Sequence, residues 1–131
     1  ILSSAASDVY KRQVDKFSIK SGNPKAEIST LSGGNMQKLL MGRELTINPE
    51  VILASQPTRG LDVNSVDKIH QLLVEQRNNG TAILLISEDL DELFKLSNRL
   101  LVIFEGKIIQ SFETGEMDIS KVGLAMAGIN G

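Results

Sequence analysis

Apolar positions change their spacing several times along this chain, and each change marks an element. Between Asn35 and Leu45 the residues Met36, Leu39, Leu40 and Met41, with Gly42 among them, recur as on a helix with one buried face. Asn48-Pro49 ends that helix, because the residue before a proline is pushed toward extended backbone. Val51 to Ala54 is a short unbroken apolar run with β-branched members, set between Pro49 and Pro57. It predicts a strand buried on both faces. Val66, Ile69, Leu72 and Leu73 then recur at helical spacing, with Asp62 or Asn64 as the N-cap and Asn79-Gly80 as the stop.

The alternation continues to the end of the chain. Thr81 to Ser87 predicts a second buried strand, and Asp89 to Leu96 a short helix that starts acidic and turns Leu90, Leu93 and Phe94 inward. Leu101 to Phe104 and Lys107 to Phe112 form a hairpin turned at Glu105-Gly106, followed by a last helix. Helices alternating with apolar strands predict an α/β fold, with the two apolar strands parallel and the hairpin at one edge. No internal repeat interrupts it.

Two stretches stand apart. Ser21-Gly22-Asn23-Pro24 is a turn cluster. Residues 1–13, ILSSAASDVYKRQ, lack a starting Met, a sustained period and the apolar core of a signal peptide, and resemble read-through from the broken end of an assembled gene. They are expected to be foreign to the fold, the alternative being a solvated connecting segment.

Composition narrows the function classes. At 131 residues the chain allows one domain. Fourteen Lys and Arg against sixteen Asp and Glu leave a net charge of -2, so no overall basic field exists to hold nucleic acid or an anionic membrane. The absence of cysteine removes disulfides, thiolate metal sites and cysteine nucleophiles together. Aromatic residues at 4% are too few for a base-stacking surface. The apolar runs fall well short of the roughly 20 residues of a bilayer span.

Candidate chemistry begins at Leu31-Ser32-Gly33-Gly34-Asn35-Met36-Gln37-Lys38, where a helix is about to start. Two glycines admit close approach of a ligand, and the free N–H groups of a helix N-terminus favour an anion. A serine cap followed by an ordinary glycine turn has the same sequence. The context separates the two, because downstream stand an apolar strand ending in Ser55-Gln56, then Pro57-Thr58-Arg59-Gly60-Leu61-Asp62, a helix, a second apolar strand and Ser87-Glu88.

In this order and spacing the segment from Val14 to about Gly128 resembles the C-terminal half of the nucleotide-binding domain of ATP-binding-cassette (ABC) transporters, a P-loop NTPase fold. LSGGNMQK is similar to the family signature, VILASQPT stands in the place of the Walker B strand, GLD in that of the D-loop, and Ser87-Glu88 where a switch histidine usually follows a serine. PTRGLDV, with an Asn after LSGG, is similar to the duplicated-cassette ATPases that energise uptake of simple sugars and nucleosides, and Met36 and Gln56 lean toward the nucleoside branch. On this resemblance residues 14–131 are the C-terminal part of the second cassette of such a subunit. The cofactors it implies are ATP and Mg²⁺. The partners are another nucleotide-binding cassette, transmembrane permease subunits and, indirectly, a substrate-binding lipoprotein, with no nucleic acid. The implied location is peripheral, at the cytoplasmic face of the membrane.

The resemblance also assigns residues. Ser32, Gly33 and Gly34 would contact the γ-phosphate of ATP held by the partner cassette, Gln37 would support the signature helix, and Asp62 would order the dimer interface, its alternative being a plain helix cap. Lys38 and Arg59 are expected to be solvated charges, His70 a surface or boundary residue, and the acids at 89, 91 and 92 a helix start.

The chain's own nucleotide site departs from the family pattern. Where the family has a carboxylate pair, one ordering the Mg²⁺ shell and one polarising water, this sequence has Ser55 and Gln56. An amide does not take up the attacking water's proton, although some GTPases use Gln to orient water. At the switch position Glu88 would set a carboxylate near the γ-phosphate, a repulsion of about 4 kcal/mol for like charges near 4 Å at an effective dielectric near 20; the alternative, and the expectation, is that it points away as a helix-start residue. Catalytic positions are thus degenerate, and hydrolysis here is expected to be slow or absent. The sequence contains no G-x-x-x-x-G-K-[ST] loop, so these residues alone are expected neither to bind ATP tightly nor to hydrolyse it. Rival readings are a soluble cassette ATPase acting outside transport and a non-hydrolytic module whose function is nucleotide-dependent dimerisation.

Overall fold

The computed structural model describes residues 11–12, 14–17, 19–20, 31–116 and 118–129. Most of residues 1–13 and all of the Ser21–Pro24 cluster lie outside these; residues 11–12 and 14–16 are helical. The chain divides into two compact units, residues 1–84 and 85–131.

In the first unit α1, Gly33–Leu45, is capped by Ser32, and β1, Val51–Ser55, leads into α2, Val63–Asn78, capped by Asp62. β1 pairs in parallel with β2, Ala82–Ile86. α1 ends on Thr46, whose hydroxyl donates to the Gly42 carbonyl at 2.7 Å. Asn48 then takes a left-handed turn at φ +48°, a conformation its short polar side chain tolerates. Gly80 at φ +93° closes α2 in the same way. The Thr81 hydroxyl donates to the Pro49 carbonyl at 3.1 Å and holds the start of β2 beside the approach to β1.

The core of this unit gathers Phe17, Ile19 and Leu45, with Val14, Leu39, Met41, Ile52 and Leu72 against them. The most buried line of α1 is shifted from the stripe expected from periodicity, of which Gly42 is buried and Leu39 and Met41 pack half-buried on the core. It is Gly34, Lys38, Gly42 and Leu45, while Leu40 is exposed. Glycine explains the difference, because a helix line without Cβ atoms lets neighbours come close enough to cover it. The Phe17 ring lies on Gly42 so tightly that an added Cβ would stand 2.6 Å from Cδ2 and 2.8 Å from Cε2.

Three further expectations are corrected. Lys38 is not a solvated charge, being 8% exposed, and His70 on α2 is buried at 7%. Long stems and imidazole rings cover apolar surface readily, so their polar tips are poor guides to burial. β1 and β2 are not covered on both faces, since Val51 and Leu53 are each 66% exposed, Leu84 55% and Ile86 48%. Among the described residues cover is supplied to one face only.

The second unit holds α3, Leu90–Leu96, the antiparallel pair β3, Arg99–Phe104, and β4, Lys107–Glu113, and then α4, Ile119–Met126. β3 and β4 form their own two-stranded sheet, with a register shift between Val102 and Ile103. Their turn is Glu105-Gly106, at φ +47° and +75°, as a two-residue hairpin turn of the primed kind demands. Leu100, Val102, Phe112, Val122 and Ala125 form the core, packed by Leu90, Leu93, Phe94 and Ile109. Asp89 and Asp118 cap α3 and α4 through backbone N–H groups at 2.8–3.2 Å.

Candidate functional site

The LSGG segment enters α1 as capping chemistry requires. Ser32 holds extended backbone at φ -62° and ψ 155°, and its Oγ accepts from the Asn35 N–H at 3.4 Å and from Asn35 Nδ2 at 3.0 Å. Asn35 Oδ1 in turn accepts from the Lys20 N–H at 3.1 Å, so one amide ties the cap to the incoming chain. The first N–H groups of a helix have no intrahelical acceptor. The first turn of α1 also carries no acidic side chain, so its dipole end stays available to an anion.

The two glycines answer different demands. Gly33 is exposed, and a Cβ there would meet Leu61 Cδ2 at 3.9 Å, an ordinary contact, so nothing among the described residues requires glycine. Gly34 is buried against α2: a Cβ there would stand 2.8 Å from Ser65 Cβ, closer still to its Oγ, and 3.5 Å from Asp62 Oδ2. Gly34 is therefore required from within, whereas Gly33 is free to serve whatever approaches from outside.

Asp62 caps α2 through both carboxylate oxygens. Oδ1 accepts from the Ser65 N–H at 3.1 Å and Oδ2 from the Ser65 hydroxyl at 2.7 Å. These bonds, the hydroxyl's first, hold its carboxyl below the ordinary 3.8. The structure thus selects Asp62 over Asn64 as the cap, and places it close to Gly34 with an exposed carboxylate. Gln37 lies half-buried one turn into α1, and Arg59 is exposed as expected.

Ser55 is exposed at the end of β1, and Gln56 follows at φ +49°, a left-handed turn whose carbonyl accepts from the Arg59 N–H at 3.2 Å. A hydroxyl and an amide offer neutral oxygens where a hard dication selects carboxylates. This donor set does not fit a Mg²⁺ held by the chain's own strand end, and among the described residues no group of three or more His, Cys, Asp or Glu could hold a metal. In the second unit the Ser87 hydroxyl accepts from the Asp89 N–H at 3.0 Å, and Glu88 is exposed. Asp89, not Glu88, caps α3.

Two residues were missed from sequence: Asn35, which the cap uses twice, and Ser65. Ser65 carried a signal, since Asp-x-x-Ser places a hydroxyl at the third helical position, where it can return a hydrogen bond to the cap.

The chain is 42% identical over 124 residues to the guanosine import ATP-binding protein NupO of Bacillus subtilis, which covers 92% of this chain and 24% of that protein. It is 43% identical over 103 residues to the glucose import ATP-binding protein TsgD13 of Haloferax volcanii, over 79% of this chain and 19% of the relative. It is 35% identical over 130 residues to the ribose import ATP-binding protein RbsA of Geobacillus kaustophilus, over 99% of this chain and 26% of the relative. The chain therefore spans about a quarter of the length of the curated relatives it matches. No family model matches.

Among solved structures, a nucleotide-free ATP-binding cassette from an ABC transporter superposes with a TM-score of 0.70 at 27% identity, over 82% of this chain and 42% of that one. A dimeric ATP-binding cassette in a post-hydrolysis state bound to ADP and Pi superposes at 0.74 and 23% identity, over 87% and 50%. The chain is a homologue of ABC import ATP-binding proteins, and its fold is that of the P-loop NTPase cassette.

Proposed function

We propose that this chain is the C-terminal part of the second cassette in the ATP-binding subunit of an importer for nucleosides or simple sugars, lending its signature to ATP bound by a partner cassette. The observation that carries the reading is Gly33. It sits exposed on the acid-free N-terminal turn of α1, beside the Ser32 cap, and among the described residues no neighbour accounts for its missing side chain. A terminal phosphate from a facing cassette fits that opening, where helix N–H groups and the Ser32 hydroxyl would orient it.

Other features agree. The solved relative with ADP and Pi is dimeric, and no described helix is long and apolar enough to cross a membrane, as suits a subunit that works through separate permease subunits at the cytoplasmic face. A substrate-binding lipoprotein would be an indirect partner. Gln37 supports the first turns of α1, and Asp62 stands at the dimer face. Where a competent cassette binds Mg·ATP, the ion supplies charge neutralisation on the phosphates. Ser55 and Gln56 put neither a general base nor a carboxylate for the metal at the end of β1, and Glu88 puts a like charge rather than a histidine at the switch position, so this chain's own site turns over slowly. Without a phosphate-cradling loop the 131 residues alone are inactive.

The test is steady-state ATP hydrolysis by the complete subunit. Gly33→Asp adds a side chain whose Cβ meets Leu61 Cδ2 at an ordinary 3.9 Å, and Ser32→Arg fills the same opening; both abolish turnover. Full activity in either variant removes the signature role. Ser55→Asp with Gln56→Glu and Glu88→His raises turnover at the second site, and a wild-type site already as fast as the restored one sinks the degenerate-site reading. The neutral donor set also favours a second reading, a non-hydrolytic dimerisation module. In that case ATP still drives dimer formation while turnover ignores the signature variants.

A further inference from the structure

We infer that the Ser65 hydroxyl is the positioning group that locks Asp62 of the D-loop to the signature helix, so that the two motifs move as one piece. The inference rests on the functional reading above. Ser65 is buried at 6% exposure, at the third position of α2. Its Oγ donates to Asp62 Oδ2 at 2.7 Å. The same Oγ is packed on Gly34, the second signature glycine, where a Cβ would collide with it. One hydroxyl thus touches both motifs, a geometry that neither motif shows in sequence.

The consequence is mechanical. The Asp62 carboxylate is bound on one side by the Ser65 backbone N–H at 3.1 Å and on the other by the Ser65 hydroxyl. The backbone bond fixes only the helix cap. The hydroxyl bond fixes the second oxygen against the face of α1, and hence the direction in which the carboxylate is presented beside Ser32 and Gly33. A shift of α1 when a phosphate binds is passed to Ser65 through the Gly34 contact and from there to Asp62. Close packing without voids transmits such displacements.

Ser65→Ala separates these functions. It keeps the Cβ and the backbone N–H, so the cap and the helix contact survive, and it removes only the hydroxyl. In the complete subunit, kcat for ATP hydrolysis is expected to fall about tenfold, the scale of losing one hydrogen bond to a charged group. KM for Mg·ATP stays within about twofold, because Ser65 touches no nucleotide. Against an Asp62→Asn background, which keeps a capping oxygen, adding Ser65→Ala causes no further loss, as expected for a residue acting only through Asp62.

Unchanged kcat in Ser65→Ala overturns the inference. So do losses that multiply in the double variant, since a residue that merely packs would act independently of the carboxylate. Should Ser65→Ala lower the melting temperature, comparing Asp62→Asn with the double variant at a temperature where both are folded still decides. Failure of the broader reading looks different: Gly33→Asp then retains turnover, whatever Ser65 does.

Discussion

Two adjacent glycines in one motif should respond to the same substitution with opposite sign. Gly→Ala in a helix stabilises by about 0.5–1 kcal/mol through backbone entropy. At Gly33 nothing among the described residues opposes that gain, since the new Cβ meets Leu61 Cδ2 there at an ordinary 3.9 Å. At Gly34 the new Cβ stands 2.8 Å from Ser65 Cβ and closer still to its Oγ. Ser65 is buried with its hydroxyl committed to Asp62, so relief requires α1 and α2 to move apart. With two contacts inside 3 Å the overpacking falls in the upper part of the usual range, about 2–3 kcal/mol, leaving Gly34→Ala destabilised by about 1–2.5 kcal/mol after the entropic gain. At about 4 °C per kcal/mol for a unit of this size, Gly33→Ala melts about 2–4 °C higher than the parent and Gly34→Ala about 4–10 °C lower. Thermal unfolding followed by helical circular dichroism reads both. A Gly34→Ala protein as stable as the parent would refute the close approach of the two helices, and with it the distinction between an inward and an outward glycine.

Other perturbations follow from the same geometry. Gly42→Ala presses a Cβ into the Phe17 ring and should destabilise by about 1–3 kcal/mol in a denaturant titration; Phe17→Leu in the same protein should relieve part of that loss. Glu105→Asn places Asn-Gly in a turn whose residues both have positive φ, and should raise the melting temperature by a few degrees at about 1 kcal/mol of relieved strain. Ser32→Ala removes the α1 cap and should cost about 1 kcal/mol, read as lost helical signal on heating. The Asp118 carboxyl is held below its ordinary 3.8, chiefly by the Lys121 N–H and then the Ser120 N–H. A depressed folded pKa gives stability that is present above the unfolded value and lost as pH falls through the folded one. Melting temperature should therefore drop with acid below about pH 4, and Asp118→Asn should flatten that part of the profile; an unchanged acid slope would remove Asp118 as a contributor.

Elements with strong local signals were legible in the sequence. The Asn79-Gly80 stop, the Glu105-Gly106 turn and the short helix after Ser87 appear where turn and cap chemistry put them, because those signals are properties of a few adjacent residues. Ser32 and Asp62 were legible as caps for the same reason, and the spacing of the signature, strand and D-loop segments identified the cassette. Packing across α1 was not legible. Periodicity places Met36, Leu39, Leu40, Met41 and Gly42 on the inward face, and Leu39, Met41 and Gly42 do meet the core, yet glycine has no apolar weight and Lys38 has a polar one, so the burial of Gly34 and Lys38 was not visible. His70 was misplaced by the same bias. The Ser65 link was illegible for a deeper reason, since it depends on how closely two helices approach, and only the absent Cβ of Gly34 sets that distance.

The strands point to what the sequence pattern encodes beyond this chain's own contacts. Val51 to Ala54 and Ile83 to Ile86 are unbroken apolar runs, the pattern of parallel strands covered on both faces. In the structure their burial alternates, and Val51, Leu53, Leu84 and Ile86 remain largely open. A half-buried strand would ordinarily alternate in sequence as well, with polar side chains on its open face. Here the alternation is in exposure alone, so the residues are those of a strand in a larger sheet sandwich, and the solved cassettes it matches are about twice as long. The same mismatch separates Gly33 from Gly34. Where a residue type is explained by contacts within the chain, as at Gly34, Gly42 and Asp62, substitution should change stability. Where it is not, as at Gly33, substitution should change what the protein does to a partner while leaving its fold intact, and that is the stricter criterion for placing a residue at a shared nucleotide site.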